Sequence, residues 1–283
     1  MINLYGIKAR PHDIDSMLVN KPSLVELHCS IDDLKWIPEK NYNIPFAVHL
    51  PEYHNGHLID PACIDEGKRE YAQDLYSGAI KTAISWTRFF NGQKPKIVFH
   101  PGGMSVHGLS SMEKIAAGSQ LDKTIDGMIA AAGDDADVLI ENVPAHCWFF
   151  GGEWLASLCT GADDMVSVCK KHGIGMTLDL CHLYLASRAQ GFNLEDAIEK
   201  MKPYTKHVHY SGAEGVDGEG LDITAGTFNV GHSLFHLKDI NAIAVPEIWF
   251  GHEHGGAGFK KAWIDAAESM SAAQTPQEAA WQS

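Results

Sequence analysis

The chain has 283 residues, 45% of them hydrophobic and 20% charged, with a formal net charge of −14. That length holds one large α/β barrel or two smaller domains, and the acidic balance gives no electrostatic footprint for nucleic acid or an anionic membrane. Six cysteines without a CxxC pair read as reduced thiols of a cytoplasmic protein, with no signal-peptide core and no apolar run near ~18 residues.

In chain order, residues 2–7 are expected to form a first strand, 8–11 a loop, and Asp13 or Asp15 the cap of a short helix. Leu24–His28 reads as the second strand, 31–37 as a short helical stretch stopped by Pro38, and 46–51 as a third strand closed by proline. A loop rich in Pro, Gly and His spans 52–60, and apolar residues then recur at helical period over 65–90. The fourth strand and its turn cover 96–103, a helix 111–132, and the fifth strand 137–144. An aromatic loop (Trp148, Phe149, Phe150, Trp154) leads into a helix that ends at His172, with Gly173 where a C-cap belongs. Residues 174–178 are a buried sixth strand, 193–201 a helix and 206–210 the seventh strand. A glycine-rich loop reaches Gly231, and a helix over 233–239, the eighth strand over 242–248 and a final helix over 259–272 complete the pattern, leaving 273–283 as a frayed tail.

Eight short apolar strands, mostly followed by helices, argue for parallel βα units. Eight is the number that closes a (β/α)8 TIM barrel, and the length is typical of one. A doubly wound open sheet usually carries a glycine-rich phosphate turn after an early strand, and none is present. Residues 1–283 are therefore read as a single α/β domain of the barrel type.

In such a barrel the site lies at the C-terminal mouth. Six successive strands end in a metal-competent side chain: His49, His100, Glu141, Asp179, His209 and Glu247, with His182 one turn past Asp179. Each has a plainer explanation alone. Asp179 could cap the next helix with His182 facing solvent, and His49 and His100 could be hydrogen-bonded loop residues. Of His207 and His209, which flank Val208, one is expected to point inward and the other to solvent or a helix. Glu141 and Glu247 end apolar runs, where an unpaired carboxylate is costly. Jointly, the six positions point to a shared divalent cation.

The order His-Leu-Pro, His-Pro-Gly-Gly, Glu-Asn, Leu-Asp-Leu-Cys-His, His-Val-His-Tyr, Asn-Val-Gly-His and Pro-Glu, from about Phe46 to Gly251, resembles the xylose-isomerase-like barrel superfamily. That group includes the sugar phosphate isomerases/epimerases and the endonuclease IV family. The resemblance implies that Glu141, Asp179, His209 and Glu247 hold a central divalent metal (Mn, Mg, Co or Zn). It implies a second ion on His49 and His100, sharing Glu141, and a third site containing His182, for one to three ions in all. The third site normally takes an Asp-x-His pair from the loop after the seventh strand. Here residues 215–224 contain no histidine; Asp222 falls closest to its place, and Glu219 or Asp217 could supply the acid.

The implied activity is a metal-dependent sugar or sugar-phosphate isomerisation or epimerisation. A proton is removed next to a carbonyl, and the metal stabilises the developing enediolate. Glu141 and Glu247 are candidate base and acid, His182 is a further catalytic candidate, and the aromatic residues after the fifth strand are candidate lid residues. The substrate is then a small sugar-like molecule, with no membrane or nucleic acid as partner, and homodimers are common among such barrels. Few rim cations (Lys8, Arg10, Arg188) speak against a phosphorylated substrate. Zinc-dependent phosphodiester hydrolysis of the endonuclease IV kind is the alternative, and a metal-holding barrel without catalysis is a second one. Residues 251–256 (Gly-His-Glu-His-Gly-Gly) read as a flexible rim loop.

Overall fold

The computed structural model describes residues 2–273. Eight parallel strands form one sheet in sequence order: β1 (Gly6–Ala9), β2 (Leu24–His28), β3 (Phe46–His49), β4 (Lys96–Phe99), β5 (Asp137–Glu141), β6 (Gly175–Asp179), β7 (Thr205–Tyr210) and β8 (Ala244–Pro246). The sheet closes where Asn3 bridges Ile243: the Asn3 amide donates to Ala242 (2.9 Å) and the Ala244 amide to Asn3 (2.7 Å). Around it run α1 (Ile14–Leu18), α2 (Glu66–Trp86), α3 (Ser111–Ala132), α4 (Ala162–His172), α5 (Leu180–Gln190), α6 (Leu194–Met201), α7 (Val230–His236) and α8 (Glu253–Ala273). This is a (β/α)8 TIM barrel, as the strand count implied.

The two-residue period of a strand sorts the side chains. Val25, Leu27, Val48, Val138, Ile140, Met176, Leu178, Val208 and Tyr210 pack outward against the helices in one continuous core. The alternate positions face the barrel axis. At its floor Leu24, Ala47 and Val245 form a small apolar plug with Ile243. Gly6 belongs there because a β-carbon would collide with Val245. Above the plug the inward positions turn polar: Glu26, His49, Glu141, Asp179, His207 and His209 are all buried. The strands thus turn apolar faces outward, while their inward faces become ionisable toward the C-terminal mouth.

Several boundaries differ from the sequence reading. β1 starts at Gly6 rather than residue 2 and takes in Lys8 and Ala9; its inward positions, Gly6 and Lys8, carry no apolar signal. The helix that Asp179 could cap is α5, which the reading gives no bounds, because the apolar run 174–185 hides the change from strand to helical period. The aromatic loop is a hairpin, His146–Phe149 with Gly152–Ala156, extended by Met104–Ser105. The loop after β7 holds another hairpin, Gly212–Glu214 with Gly218–Leu221. The 251–256 segment opens α8, which breaks at His254–Gly256, where φ is positive. Ala273 ends that helix; residues 274–283 of the expected tail lie outside the described residues. All six cysteines are free. Among the described residues no helix is long and apolar enough to cross a membrane.

Candidate metal centre

Glu141, Asp179, His209 and Glu247 each bring one ligand atom to a common point, all within 4.8 Å of one another. Each arrives from a strand end or the residue just past it. His209 Nδ1 lies 3.0 Å from Glu141 Oε1 and 2.8 Å from Glu247 Oε1. Asp179 does two jobs. Its Oδ1 accepts the His182 amide (2.7 Å) and caps α5, while Oδ2 stays free. Glu141 Oε2 and Asp179 Oδ2 are buried without an aligned hydrogen-bond donor, while Glu247 Oε1 is paired with Lys8 Nζ and lies 2.8 Å from His209 Nδ1. Unpaired buried carboxylate oxygens are costly, and a divalent cation bound by one imidazole and three carboxylates satisfies them.

The surroundings fix these groups. Asn142 clamps the ends of β5 and β6: its Nδ2 donates to the Asp179 carbonyl and its Oδ1 accepts the Asp179 amide, both at 2.9 Å. Its own carbonyl accepts from His182 Nδ1 (3.0 Å). Glu26, fully buried on β2, accepts from His209 Nε2 (2.8 Å) and His207 Nε2 (2.7 Å). The expectation that only one of these histidines faces inward therefore fails: residues i and i+2 of a strand share a face. With Nε2–H committed to Glu26, Nδ1 is the nitrogen His209 offers to a cation. Lys8 Nζ pairs with Glu247 and lies 3.9 Å from Glu26 Oε1.

These contacts set the charges. Burial alone would raise the carboxyl pKa of Glu141, Glu26 and Glu247, but His209 outweighs it, aided by His100 at Glu141, by His207 at Glu26 and by Lys8 at Glu247. All three are held below the ordinary carboxylate range. Burial dominates at Asp179, reinforced by Glu247 and Glu141, and pushes its pKa up to about 6.

A second cluster adjoins the first. His49 Nε2 lies 3.2 Å and His100 Nε2 3.6 Å from Glu141 Oε2, and the three form a further metal-competent group. His49 Nδ1 donates to the Leu50 carbonyl (3.1 Å), which leaves Nε2 facing Glu141. Glu52, not singled out by the sequence, sits 3.8 Å from His100 and 3.7 Å from His28. On the third side His182 Nε2 faces Glu219 Oε2 at 3.5 Å. Burial lowers the His182 pKa, but Asp179 and Glu219 more than compensate and raise it to about 10. Asp222 does not join: it pairs with Lys261 (3.1 Å) and accepts from Thr224. Asp217 accepts from Trp148 Nε1 at 3.4 Å.

The sequence profile described as xylose isomerase-like TIM barrel matches residues 33–273. The chain belongs to that family. Comparison with curated proteins finds no match. Among solved structures, a D-tagatose 3-epimerase-like protein is 19% identical with a TM-score of 0.70, covering 95% of this chain and 98% of its own. The 3-keto-D-glucoside 4-epimerase of E. coli is 13% identical (TM-score 0.66; 94% and 98% covered). Endonuclease IV from Thermus thermophilus is 14% identical (TM-score 0.61; 93% and 99% covered). At such identities the likeness is one of fold, and this family fold is shared by sugar epimerases and a nuclease.

Above the polar cluster the mouth opens into a cavity of about 670 Å³. Its inner wall holds Lys8, His28, His49, His100, Asp179, His182 and Glu247, and its outer wall is aromatic, with Trp148, Phe149, Trp249 and Phe250. Trp154 lines a neighbouring cavity instead. Of the expected rim cations, Lys8 and Arg10 line the mouth, Arg10 paired with Asp33 (3.1 Å), while Arg188 is exposed on α5. Glu26 had a readable signal, since a carboxylate inside the apolar run Leu-Val-Glu-Leu is as costly as Glu141.

Proposed function

We propose that the chain is a divalent-metal-dependent sugar isomerase or epimerase that moves a proton next to a carbonyl. The observation that carries this reading is the convergence of Glu141, Asp179, His209 and Glu247, with unpaired carboxylate oxygens, at the floor of a cavity sized for a small molecule. Glu141, Asp179, His209 and Glu247 would hold the cation, and Mn, Mg, Co and Zn all suit this donor set. A bound cation polarises a carbonyl and stabilises negative charge that develops on its oxygen. Glu141 and Glu247 come from strands three apart and are charged at neutral pH, so each has an oxygen able to accept a proton. Lys8 orients Glu247, and Asn142 holds Asp179 and His182 in register. Trp148 and Phe149 border the mouth. The sugar epimerases among the structural neighbours support the same reading.

The test is proton exchange. Metal-loaded protein in D₂O with D-tagatose, D-psicose, D-fructose or L-ribulose should place deuterium on the carbon beside the carbonyl, read by NMR. Glu141→Gln and Glu247→Gln should each abolish it while the fold persists. A second reading has one specific observation in its favour: His49 and His100 gather on Glu141 as a second cation site, which suits phosphodiester hydrolysis. No exchange into any ketose, together with cleavage of an abasic duplex, would replace the first reading with the second. The charge of −14 opposes a polyanionic substrate.

A further inference from the structure

We infer that the mouth carries an outer subsite for a second, uncharged ring, built on Trp249 and Trp148, so that the preferred substrate is a carbonyl-bearing sugar that carries a second ring rather than a bare monosaccharide. This rests on the reading of the metal centre as a sugar site.

The first ground is size. The cavity of about 670 Å³ runs without a break from Asp179, His182 and Glu247 to Trp148, Trp249 and Phe250. That volume lies inside the range of about 300–1,000 Å³ typical of pockets for drug-sized ligands, so there is room for more than one six-membered ring. The metal-facing residues and the aromatic residues line this one space together.

The second ground is how Trp249 is held. The residue is 63% exposed, yet it is fixed at three points. Its Nε1 donates to the Glu219 carbonyl (2.8 Å) and its backbone amide to the Gly220 carbonyl (2.7 Å). Gly220, at φ +70°, lies under the indole, where a β-carbon would collide with it. Trp148 is anchored to the same hairpin through Asp217. With both indole N–H groups already committed to the protein, each ring offers a ligand only its face. An exposed, immobilised aromatic face at the rim of a polar site is a stacking platform for the apolar side of a sugar ring or for an aryl group.

The third ground is charge. Lys8 is paired with Glu247 and Arg10 with Asp33, so neither residue presents an uncommitted cation to an anionic group. Glu219 also links the two halves of the cavity: its carbonyl holds Trp249 while its carboxylate faces His182.

The experiment compares two ligands that differ only beyond the sugar, methyl and phenyl β-D-glucopyranoside, bound to manganese-loaded protein and measured by calorimetry. The phenyl glycoside should bind at least about tenfold more tightly. Trp249→Ala should erase that preference, leave methyl glycoside binding and the melting temperature unchanged, and keep the metal content of the wild type. Equal affinity for the two glycosides, or a variant that weakens both by the same factor, overturns the outer subsite alone. Binding of neither glycoside also overturns the outer subsite, since the phenyl ring then finds no platform, while deuterium exchange into the ketoses tests the sugar-site reading separately.

Discussion

Replacing Glu26 with glutamine should loosen the metal centre, chiefly through His209, without altering any of its four ligands directly. Glu26 accepts two imidazole N–H bonds, at 2.8 Å from His209 and 2.7 Å from His207. A hydrogen bond to a charged group contributes about 1.5–3 kcal/mol and a neutral one about 0.5–1.5 kcal/mol, so neutralising the acceptor removes about 1 kcal/mol per bond, roughly 2 kcal/mol in all. Only the His209 bond bears on a ligand, and at about 1.4 kcal/mol per decade its ~1 kcal/mol corresponds to roughly fivefold in metal affinity, just below the effect of about 10–100-fold that follows loss of an outer partner of a metal-bound histidine. The assay is competition for Mn²⁺ or Zn²⁺ between metal-free protein and a chromophoric chelator, with the melting temperature as the control for folding. Glu26→Met should do worse, since two buried N–H groups then lack any acceptor, at about 1–3 kcal/mol each. A folded Glu26→Gln protein that binds metal as tightly as the wild type would refute the assignment of Glu26 as the group that orients His209.

Other expectations follow from the same geometry. Asp179→Asn should reduce central metal content while leaving the barrel folded, checked by elemental analysis and circular dichroism; its Oδ1 still caps α5, so the melting temperature should fall by only a few degrees. Asp222→Ala should leave metal affinity within about twofold of the wild type, because Asp222 faces Lys261; a larger loss would place Asp222 in the centre after all. Asp122 joins α3 to α4 through Lys171 (2.6 Å) and His172 (2.8 Å); burial opposes its ionisation, but these partners hold its pKa below the ordinary value. Its stabilisation is therefore present above the unfolded carboxyl pKa and is lost as pH falls through the folded value. Asp122→Asn should cost roughly 1 kcal/mol at pH 7 after screening, and the gap in urea midpoint should close in strong acid.

The strand ends were legible because the cost of burying charge leaves a mark in the sequence. His49, His100, Glu141, Asp179, His209 and Glu247 each follow an apolar run, and all six stand around one mouth. The same logic applied to Glu26, but it lies in the middle of β2 rather than at its end, so a search confined to strand ends passes over it. Lys8 reads as a loop cation because Gly6 resembles the close of a strand and not its start, which conceals its inward position on β1 beside Glu247. His207 was misplaced by miscounting the strand's alternation. The pairing of His182 with Glu219 rather than Asp222 depends on the hairpin after β7, whose turn brings Glu219 inward; spacing along the chain carries no record of that fold-back.

Asp179 commits one oxygen to the first turn of α5 and so offers only a single point of attachment on its other side. A carboxylate tied in this way cannot grip an ion with both oxygens, and the neighbouring ligand is a nitrogen. Calcium, which favours six to eight oxygens and often a two-pronged carboxylate, is poorly served by such a site. Smaller ions with fewer, more directional bonds suffer no such handicap. By capping a helix, one side chain would thereby help such a site discriminate against a competing cation.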